Sequence, residues 1–368
     1  SYILNISREN CVKKHKIIVG LSGGVDSAVA ALRLIELGHD VKGLFMKNWT
    51  EDDTEEYCSS AEDYADAKEV AKCLGIELIS ANFSDEYWEK VFKNFLKEYQ
   101  SGRTPNPDIL CNKNIKFKAF LDYAIGRGAD YIATGHYAGI KDHNQKKQLI
   151  CASDKSKDQT YFLYTLGQTA LSKSIFPLEK ILKSEVREIA SNAGLSNWNK
   201  KDSMGICFIG KKDFKAFLSK YIPSKPGPIK DVNGEYLGDH QGLMFHTIGQ
   251  RQGLGIGGKF DMSGDPWFVV EKNTSTNTLI VAQGHDNPNL LKDNLRADQV
   301  HWITDHPPEE TFCCKARLRH RQELQDCRVT LVADNLNVIF DRPQRAVTPG
   351  QSIVLYEKNI CLGGGIIM

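Results

Sequence analysis

The chain has 368 residues, a length that predicts two or three domains rather than a single core. Its 47 basic residues stand against 46 acidic ones, which excludes a globally basic nucleic-acid binder but leaves local basic faces open. A hydrophobic content of 41%, with no apolar run near the ~20 residues that span a bilayer, reads as a soluble globular chain with no membrane segment.

The first fifteen residues, ending Val12-Lys13-Lys14-His15, lack an apolar signal core and read as a loose extension of a cytoplasmic protein. A buried strand is expected over Lys16–Leu21. It runs into Ser22-Gly23-Gly24-Val25-Asp26-Ser27, and Val29, Leu32, Leu34, Ile35 and Leu37 then follow at helical spacing. A strand, a glycine turn and a helix together aim free backbone N–H groups and a positive helix end at an anion. Gly23 and Gly24 allow close approach of the backbone, Ser22 and Ser27 add hydroxyls, and Asp26 can orient the turn or a magnesium ion. The plainer reading is a tight turn with Asp26 or Ser27 as helix cap; two serines and an aspartate around the glycines favour phosphate binding.

Short strands are then expected at Val41–Met46, Ile76–Ala81 and Tyr131–Thr134, with helices near Ala61–Leu74, Trp88–Tyr99 and Ile115–Gly126. This alternation predicts a doubly wound parallel sheet with its ligand site at the carboxyl ends of the strands. Helical signals continue through Val186–Ala193 and Phe214–Tyr221. The stretch Pro223-Ser224-Lys225-Pro226-Gly227-Pro228 reads as a linker. A β-like region follows, with Gly242 to Phe245, Trp267–Val270 and Leu279–Ala282. After the break His285-Asp286-Asn287-Pro288 come short strands at Val300–Ile303, Phe312–Leu318, Cys327–Val332, Val338–Phe340 and Ile353–Tyr356. Their spacing suggests a small closed barrel. The expected division is a catalytic domain over 1–209, a β-rich central domain over 210–285 and a C-terminal barrel over 286–368. The glycines of Gly253–Gly258 resemble a dinucleotide fingerprint only superficially: no strand-turn-helix surrounds them, and a loop is the better reading.

Ten cysteines in a long chain without an export signal do not make a disulfide framework, and most, such as Cys73 and Cys361, lie in apolar contexts. No C-x-x-C pair occurs, which argues against a zinc site or a cysteine-bound iron–sulfur cluster. Two cysteines stand apart. Cys111 follows Arg103-Thr104-Pro105-Asn106-Pro107-Asp108, and a helix expected to begin just after it, with Lys113 and Lys116, favours a thiolate. Cys207 lies between Gly205 and Gly210, with Lys200, Lys201, Lys211 and Lys212 around it in sequence. Taken singly, each is more often buried filler than reactive.

The hexapeptide resembles the pyrophosphatase loop of enzymes that split ATP to AMP and pyrophosphate, and it lacks the G-x-x-x-x-G-K-[ST] of a γ-phosphate-cleaving loop. Further matches run the length of the chain. They are Gly43–Trp49, Arg103–Cys111, Ala133-Thr134-Gly135-His136-Tyr137, Lys157–Leu163, Gly205–Gly210 and Thr348-Pro349-Gly350-Gln351. In their order they resemble the bacterial tRNA-specific 2-thiouridylase family, which places sulfur on C2 of the wobble uridine. Residues 141–148 and the first fifteen fit least well.

That resemblance implies an adenine-nucleotide α-hydrolase-like catalytic domain and a set of site residues. ATP, with its Mg2+, would lie on Gly20, Leu21, Ser22, Gly23, Gly24, Val25, Asp26 and Ser27, with Met46 and Gly135 lining the nucleotide. Cys207 would carry the sulfur as a persulfide. Cys111 would assist release and leave a Cys111–Cys207 disulfide. Asn106, Pro107 and Asp108 correspond to the segment that meets the base, and Asp108 is the candidate for acid–base help, with a turn or capping role as its alternative. His136, Lys157, Asp158, Gln159 and Gln351 correspond to tRNA contacts. Arg317, Arg319 and Arg321 alternate along an expected strand, so all three would face one way toward a phosphate backbone, Arg319 foremost. The implied partners are lysine, glutamate and glutamine tRNAs and a sulfur donor, either a cysteine desulfurase or a sulfur-relay protein. Two other readings are an amide-forming ligase with the same loop, which gives Cys207 no task, and a non-catalytic RNA-binding protein.

Overall fold

The computed structural model describes residues 13–49, 59–201, 213–256 and 264–368. Cys207, with Gly205–Gly210, lies outside them.

The first 175 residues build a parallel sheet. Strands β1 (Lys16–Gly20), β2 (Asp40–Lys47), β3 (Leu78–Asn82), β4 (Tyr131–Ala133) and β7 (Ser174–Ile175) lie in the order β3-β2-β1-β4-β7, every pair parallel. The chain leaves β1 to lay β2 on one side and returns to lay β4 on the other. The β1–β4 gap is therefore the switch point at which such sheets bind ligands beyond their carboxyl ends. Helix α1 (Val25–Glu36) follows the turn after β1 and buries Val25, Ala28, Val29 and Leu34 against the sheet. Helix α2 (Ser59–Leu74) packs beside it. Two longer rods cover the rest. One joins α3 (Ser84–Tyr87) through π-helical Trp88–Phe92 to α4 (Lys93–Gln100). The other joins α5 (Pro107–Cys111) through π-helical Asn112–Ala119 to α6 (Phe120–Gly126). Beyond them come α7 (Gln168–Ser172), α8 (Lys183–Asn192) and α9 (Phe214–Ser219).

A four-stranded sheet follows in the order β10-β11-β8-β9, from β8 (Gly227–Asp231), β9 (Tyr236–His240), β10 (Trp267–Asn273) and β11 (Thr278–Gln283). It encloses its own core of Ile229, Leu254, Val269, Leu279 and Val281. The stretch read as a linker already enters β8 at Gly227, and Leu243–Phe245, expected to be β-like, forms a single 3-10 turn.

The C-terminal part is a closed antiparallel barrel. Its strands are β12 (Leu291–Trp302), β13 (Thr311–Arg317), β14 (Gln325–Val332), β15 (Asn335–Arg345), β16 (Ser352–Glu357) and β17 (Ile360–Ile367), with β12 pairing β17 to close the ring. The sheet also takes up a hairpin of the N-terminal part, β5 (Ala138–His143) and β6 (Lys146–Cys151), through Ile360↔Ile150 and Cys361↔Leu149. Residues 141–148, the loosest in the resemblance, are this hairpin. One hydrophobic core consequently spans both ends of the chain, with Leu149, Tyr161 and Tyr164 packed in the same cluster as Val354, Tyr356 and Cys361. Cys73, expected among apolar neighbours, is exposed.

Arg317, Arg319 and Arg321 do not form a row. Strand β13 ends at Arg317, Leu318 turns inward, and Arg321 takes a left-handed φ of 65°. The Gln322 side chain accepts the Leu318 N–H at 2.8 Å and closes the turn. Arg317 is drawn inside, over the Tyr356 ring and 3.6 Å from Asp158, whereas Arg319 is exposed and donates to the Arg345 carbonyl.

Among the described residues no helix is long and apolar enough to cross a membrane. The Tyr161 hydroxyl ties the N-terminal part into the barrel by donating to the carbonyls of Ser352 at 2.9 Å and Leu318 at 3.2 Å. Replacing it (Tyr161→Phe) leaves both buried carbonyls short of a donor and is expected to cost about 1–2 kcal/mol. The urea unfolding midpoint would read this as a decrease with an unchanged slope.

Candidate functional site

The site is built on the turn that leaves β1. Gly24 serves as N-cap of α1 with no side-chain cap, so neither Asp26 nor Ser27 caps the helix. The serines close the turn instead. Ser27 Oγ donates to the Gly24 carbonyl at 3.2 Å and accepts the Ser22 N–H at 3.2 Å, and Ser22 Oγ accepts the Gly24 N–H at 3.3 Å. Gly23 holds φ = 79°, and a Cβ there would lie 2.5 Å from the Asp63 carbonyl oxygen; only glycine fits. Gly135, just past β4, backs onto the first turn of α1, where a Cβ would lie 2.6 Å from the Ser27 nitrogen. Met46 packs beside Gly20, and Leu21 and Val25 are buried anchors of the turn. Thus Gly20–Ser27, Met46 and Gly135 converge on the carboxyl end of the β1–β4 gap.

Asp26 leaves α1 in its first turn, where the helix dipole favours a carboxylate. Its Oδ1 accepts from Lys183 Nζ at 2.6 Å and from the Tyr137 hydroxyl at 2.8 Å. Lys183 is buried in the first turn of α8, on the same face as Val186 and Ala190. That turn is held by two carboxylates: Glu185 accepts the Leu182 N–H and Asp154 accepts the Lys183 N–H. Two helix starts therefore meet at one ion pair. The sequence reading assigned no role to Lys183 or Tyr137, although a lysine on an apolar helical stripe is itself a signal of a buried charge pair.

Gln159 supports Tyr137 from behind: its side chain accepts the Tyr137 N–H at 3.0 Å, and its own N–H donates to the Tyr137 carbonyl. Asp158, 2% exposed, accepts from the Thr160 hydroxyl at 2.6 Å and the Ala152 N–H at 2.8 Å. Burial raises its pKa, and those hydrogen bonds together with Arg317 only partly oppose the rise. Of the three residues matched to tRNA contacts here, Asp158 faces inward, while Lys157 and Gln159 are half-buried. His136 is also interior, its Nδ1 2.7 Å from the Thr134 hydroxyl and its ring beside Phe117 and Phe176. Burial, aided by the charge of Lys116, holds its pKa well below the usual imidazole value.

Asn106 caps α5 by accepting the Asp108 N–H at 3.1 Å, and Pro107 occupies the first helical position. The helix expected to begin after Cys111 thus begins before it. Cys111 lies in the second turn, 3% exposed, rather than at a helix N-terminus. The neighbouring Asn112 donates to the Phe162 carbonyl at 3.0 Å. Asp108 is largely enclosed, and burial raises its pKa against the opposing charge of Lys116. The barrel holds the segment just ahead. Thr104 N–H donates to the Pro349 carbonyl at 2.9 Å, and Gln351 Nε2 donates to the Thr104 carbonyl at 2.7 Å. Gln351 thereby grips protein backbone.

This arrangement offers an anion a helix N-terminus, two hydroxyls and a lysine, with a carboxyl whose pKa burial raises on a separate rod. Among the described residues no group of three or more His, Cys, Asp or Glu side chains is placed to hold a metal ion. Because the folded chain holds the Asp108 proton to higher pH than the unfolded chain does, this group's contribution to stability is fully present below the unfolded pKa and is lost as pH rises through the raised value. Asp108→Asn should therefore raise the urea midpoint at pH 7 relative to the parent and lose that advantage near pH 3. A lower midpoint at pH 7 would contradict the direction of the shift.

Three family models match the chain. They are described as the tRNA methyl transferase HUP domain over residues 15–211, the tRNA methyl transferase PRC-barrel domain over 215–283, and the aminomethyltransferase beta-barrel domain over 292–367. The tRNA-specific 2-thiouridylase MnmA of Proteus mirabilis is 57% identical, with 96% of each chain covered. The protein of the same name from Francisella philomiragia is 55% identical over 97% of this chain and all of its own length. Among solved structures, the U34-tRNA thiolase NcsA of Methanococcus maripaludis aligns with 56% of this chain and 65% of its own at 19% identity, with a TM-score of 0.35, too slight a likeness to argue from.

Proposed function

The chain belongs to the tRNA-specific 2-thiouridylase family, whose members are tRNA sulfurtransferases, and on that premise we propose that it thiolates C2 of the wobble uridine in two chemical stages. The observation that carries the first stage is the Ser22–Ser27 turn at the sheet's switch point, with Asp26 clamped between Lys183 and Tyr137. A HUP-type fold with this turn suits ATP. The uracil C2 oxygen attacks the α-phosphorus and pyrophosphate leaves. The N–H groups at the start of α1, the serine hydroxyls and Lys183 stabilise the departing charge. Asp26 is the carboxylate that would meet a magnesium ion brought in with ATP.

In the second stage the outer sulfur of a persulfide on Cys207 attacks C2, and AMP leaves with the former C2 oxygen. Cys111 thiolate then attacks the Cys207 sulfur of the bridge. The uridine departs with its sulfur, and a Cys111–Cys207 disulfide remains to be reduced by an external thiol. Asp108, whose pKa burial raises, is suited to carry a proton at the base or the Cys111 thiol. An unpaired loop base must be presented out of its stack. Asn106 and Pro107 lie beside Asp108 for that task, with Lys157 and Arg319 proposed toward the rest of the tRNA and Gln351 proposed to act through Thr104. His136, Asp158 and Gln159 act from beneath, by positioning Tyr137 and the strands around it. The proposed domains follow the same division, with catalysis within 1–209, a β-rich connector over 210–285 and a tRNA-binding barrel over 286–368. The sulfur donor is proposed to be a cysteine desulfurase or a sulfur-relay protein.

The test follows AMP release and sulfur incorporation in parallel on unmodified glutamate tRNA with ATP and a cysteine desulfurase system. The parent should do both. Cys207→Ser should still consume ATP in a tRNA-dependent manner yet transfer no sulfur. Lys183→Met should slow pyrophosphate release by about a hundredfold. Normal thiolation by Cys207→Ser would remove the persulfide assignment. AMP release by the parent without any sulfur transfer would favour an adenylating ligase.

A further inference from the structure

The peptide joining Gly23 to Gly24 has no side chain on either flank, so local sterics do not fix which way it faces. A trans peptide points its carbonyl and its N–H in opposite directions. Rotating it would leave both α-carbons nearly in place while turning the Gly24 N–H out of the phosphate turn. Something outside the turn must select the orientation. That group is Asn197, 5% exposed, whose Nδ2 donates to the Gly23 carbonyl at 3.0 Å. With the carbonyl held there, the Gly24 N–H faces inward to Ser22 Oγ, beside the Ser27 hydroxyl. The amide cannot be turned over without setting Asn197 Oδ1 against the Gly23 oxygen, acceptor to acceptor.

The same short stretch grips the turn a second time. Lys200, three residues on, donates to Asp63 at 2.8 Å and also to Asp66. The Asp63 carbonyl and Asp66 Cβ are the atoms that pack against Gly23. Burial would lower the Lys200 pKa, but the two carboxylates outweigh it and raise it, so the clip stays charged.

We infer that Asn197 is a positioning residue for pyrophosphate: it locks the Gly23–Gly24 peptide so that the Gly24 N–H, which donates to Ser22 Oγ in this structure, faces into the turn and can exchange that bond for one to the β,γ end of ATP. This rests on the nucleotide reading above. Because Asn197 acts through one N–H aimed at that end, its loss should separate ATP from AMP, which an ordinary structural defect would not do.

Isothermal titration of the full chain with magnesium and α,β-methylene-ATP, and separately with AMP, provides the test. Asn197→Ala and the isosteric Asn197→Asp, checked by thermal unfolding, should each bind the ATP analogue about tenfold more weakly, with AMP and tRNA affinities unchanged. Equal affinity for the analogue in parent and variants, or a parallel loss of analogue and AMP binding, overturns the inference while leaving the nucleotide site standing. Failure of both variants to fold makes Asn197 a structural residue and overturns it as well. If the parent itself binds neither the analogue nor AMP, the nucleotide reading falls and takes the inference with it.

Discussion

The ion pair between Asp26 and Lys183 is the constraint around which the N-terminal part is arranged. Each residue stands in the first turn of its helix, and Lys183 is held at a depth where an unpaired charge would be costly, whereas Asp26 is half-buried. The dipole of α1 favours Asp26, whereas the dipole of α8 disfavours Lys183, so the lysine depends on its partner more than the aspartate does. Asp154 and Glu185 offset that disadvantage by taking up backbone N–H groups at the start of α8. Tyr137 completes the clamp from the strand side, and Gln159 holds Tyr137. A single carboxylate oxygen thus joins the turn after β1, the segment after β4 and the helix at 183–192. Once these are fixed, Gly135 must lie against α1, and no larger residue can stand there.

How much of this could be read in the sequence depends on how local the cause is. Strand β1, the glycine turn and α1 are specified within about twenty residues by a buried run, two glycines and helical spacing, and the expected strand agrees with the structure to within a residue. The hairpin β5–β6 left no such trace. Its two-residue turn places Asn144 and Gln145 at φ = 47° and 63°, whereas the usual signature of such a turn carries glycine at the second position. Its partner strand is also more than two hundred residues away in sequence. The arginine row failed for a related reason: alternation of residue type persists through Arg321, but alternation of backbone stops at Arg317. The start of α5 is legible, since Asn-Pro is a cap followed by a first helical position, and it lies ahead of the start expected just after Cys111.

The polar residues turned toward protein backbone teach a different lesson. Asp158, Gln159 and Gln351 carry side chains that suit RNA, and a motif match alone cannot say which way they face. The structure spends them on protein backbone: Asp158 on Ala152 and Thr160, Gln159 on Tyr137, Gln351 on Thr104. Under the proposed function such residues would shape an RNA surface by setting the position of the groups around them. A substitution at Gln351 would be felt first at Thr104 and, through it, at Asn106 and Asp108.

Thr104 therefore connects the barrel to the segment proposed to carry the chemistry. Both its N–H and its carbonyl are bound by the barrel, and Gly350 is at φ = 92° with no room for a Cβ beside it. Two residues later Asn106 starts the rod that carries Asp108 and Cys111. Twelve residues beyond Asp108 along the rod, Phe120 packs against Gly20 at the end of β1. The rod is thus held at both ends, by the barrel near Asp108 and by the nucleotide turn near Phe120. An RNA held by the barrel and a nucleotide held by the turn would then share one frame, because the segment between them is a helix with a buried face rather than a loop. That frame would fix the height of Asp108 above the turn in the way a two-substrate reaction at a single base requires, and it confines the remaining freedom of the reaction to groups that the rod does not carry.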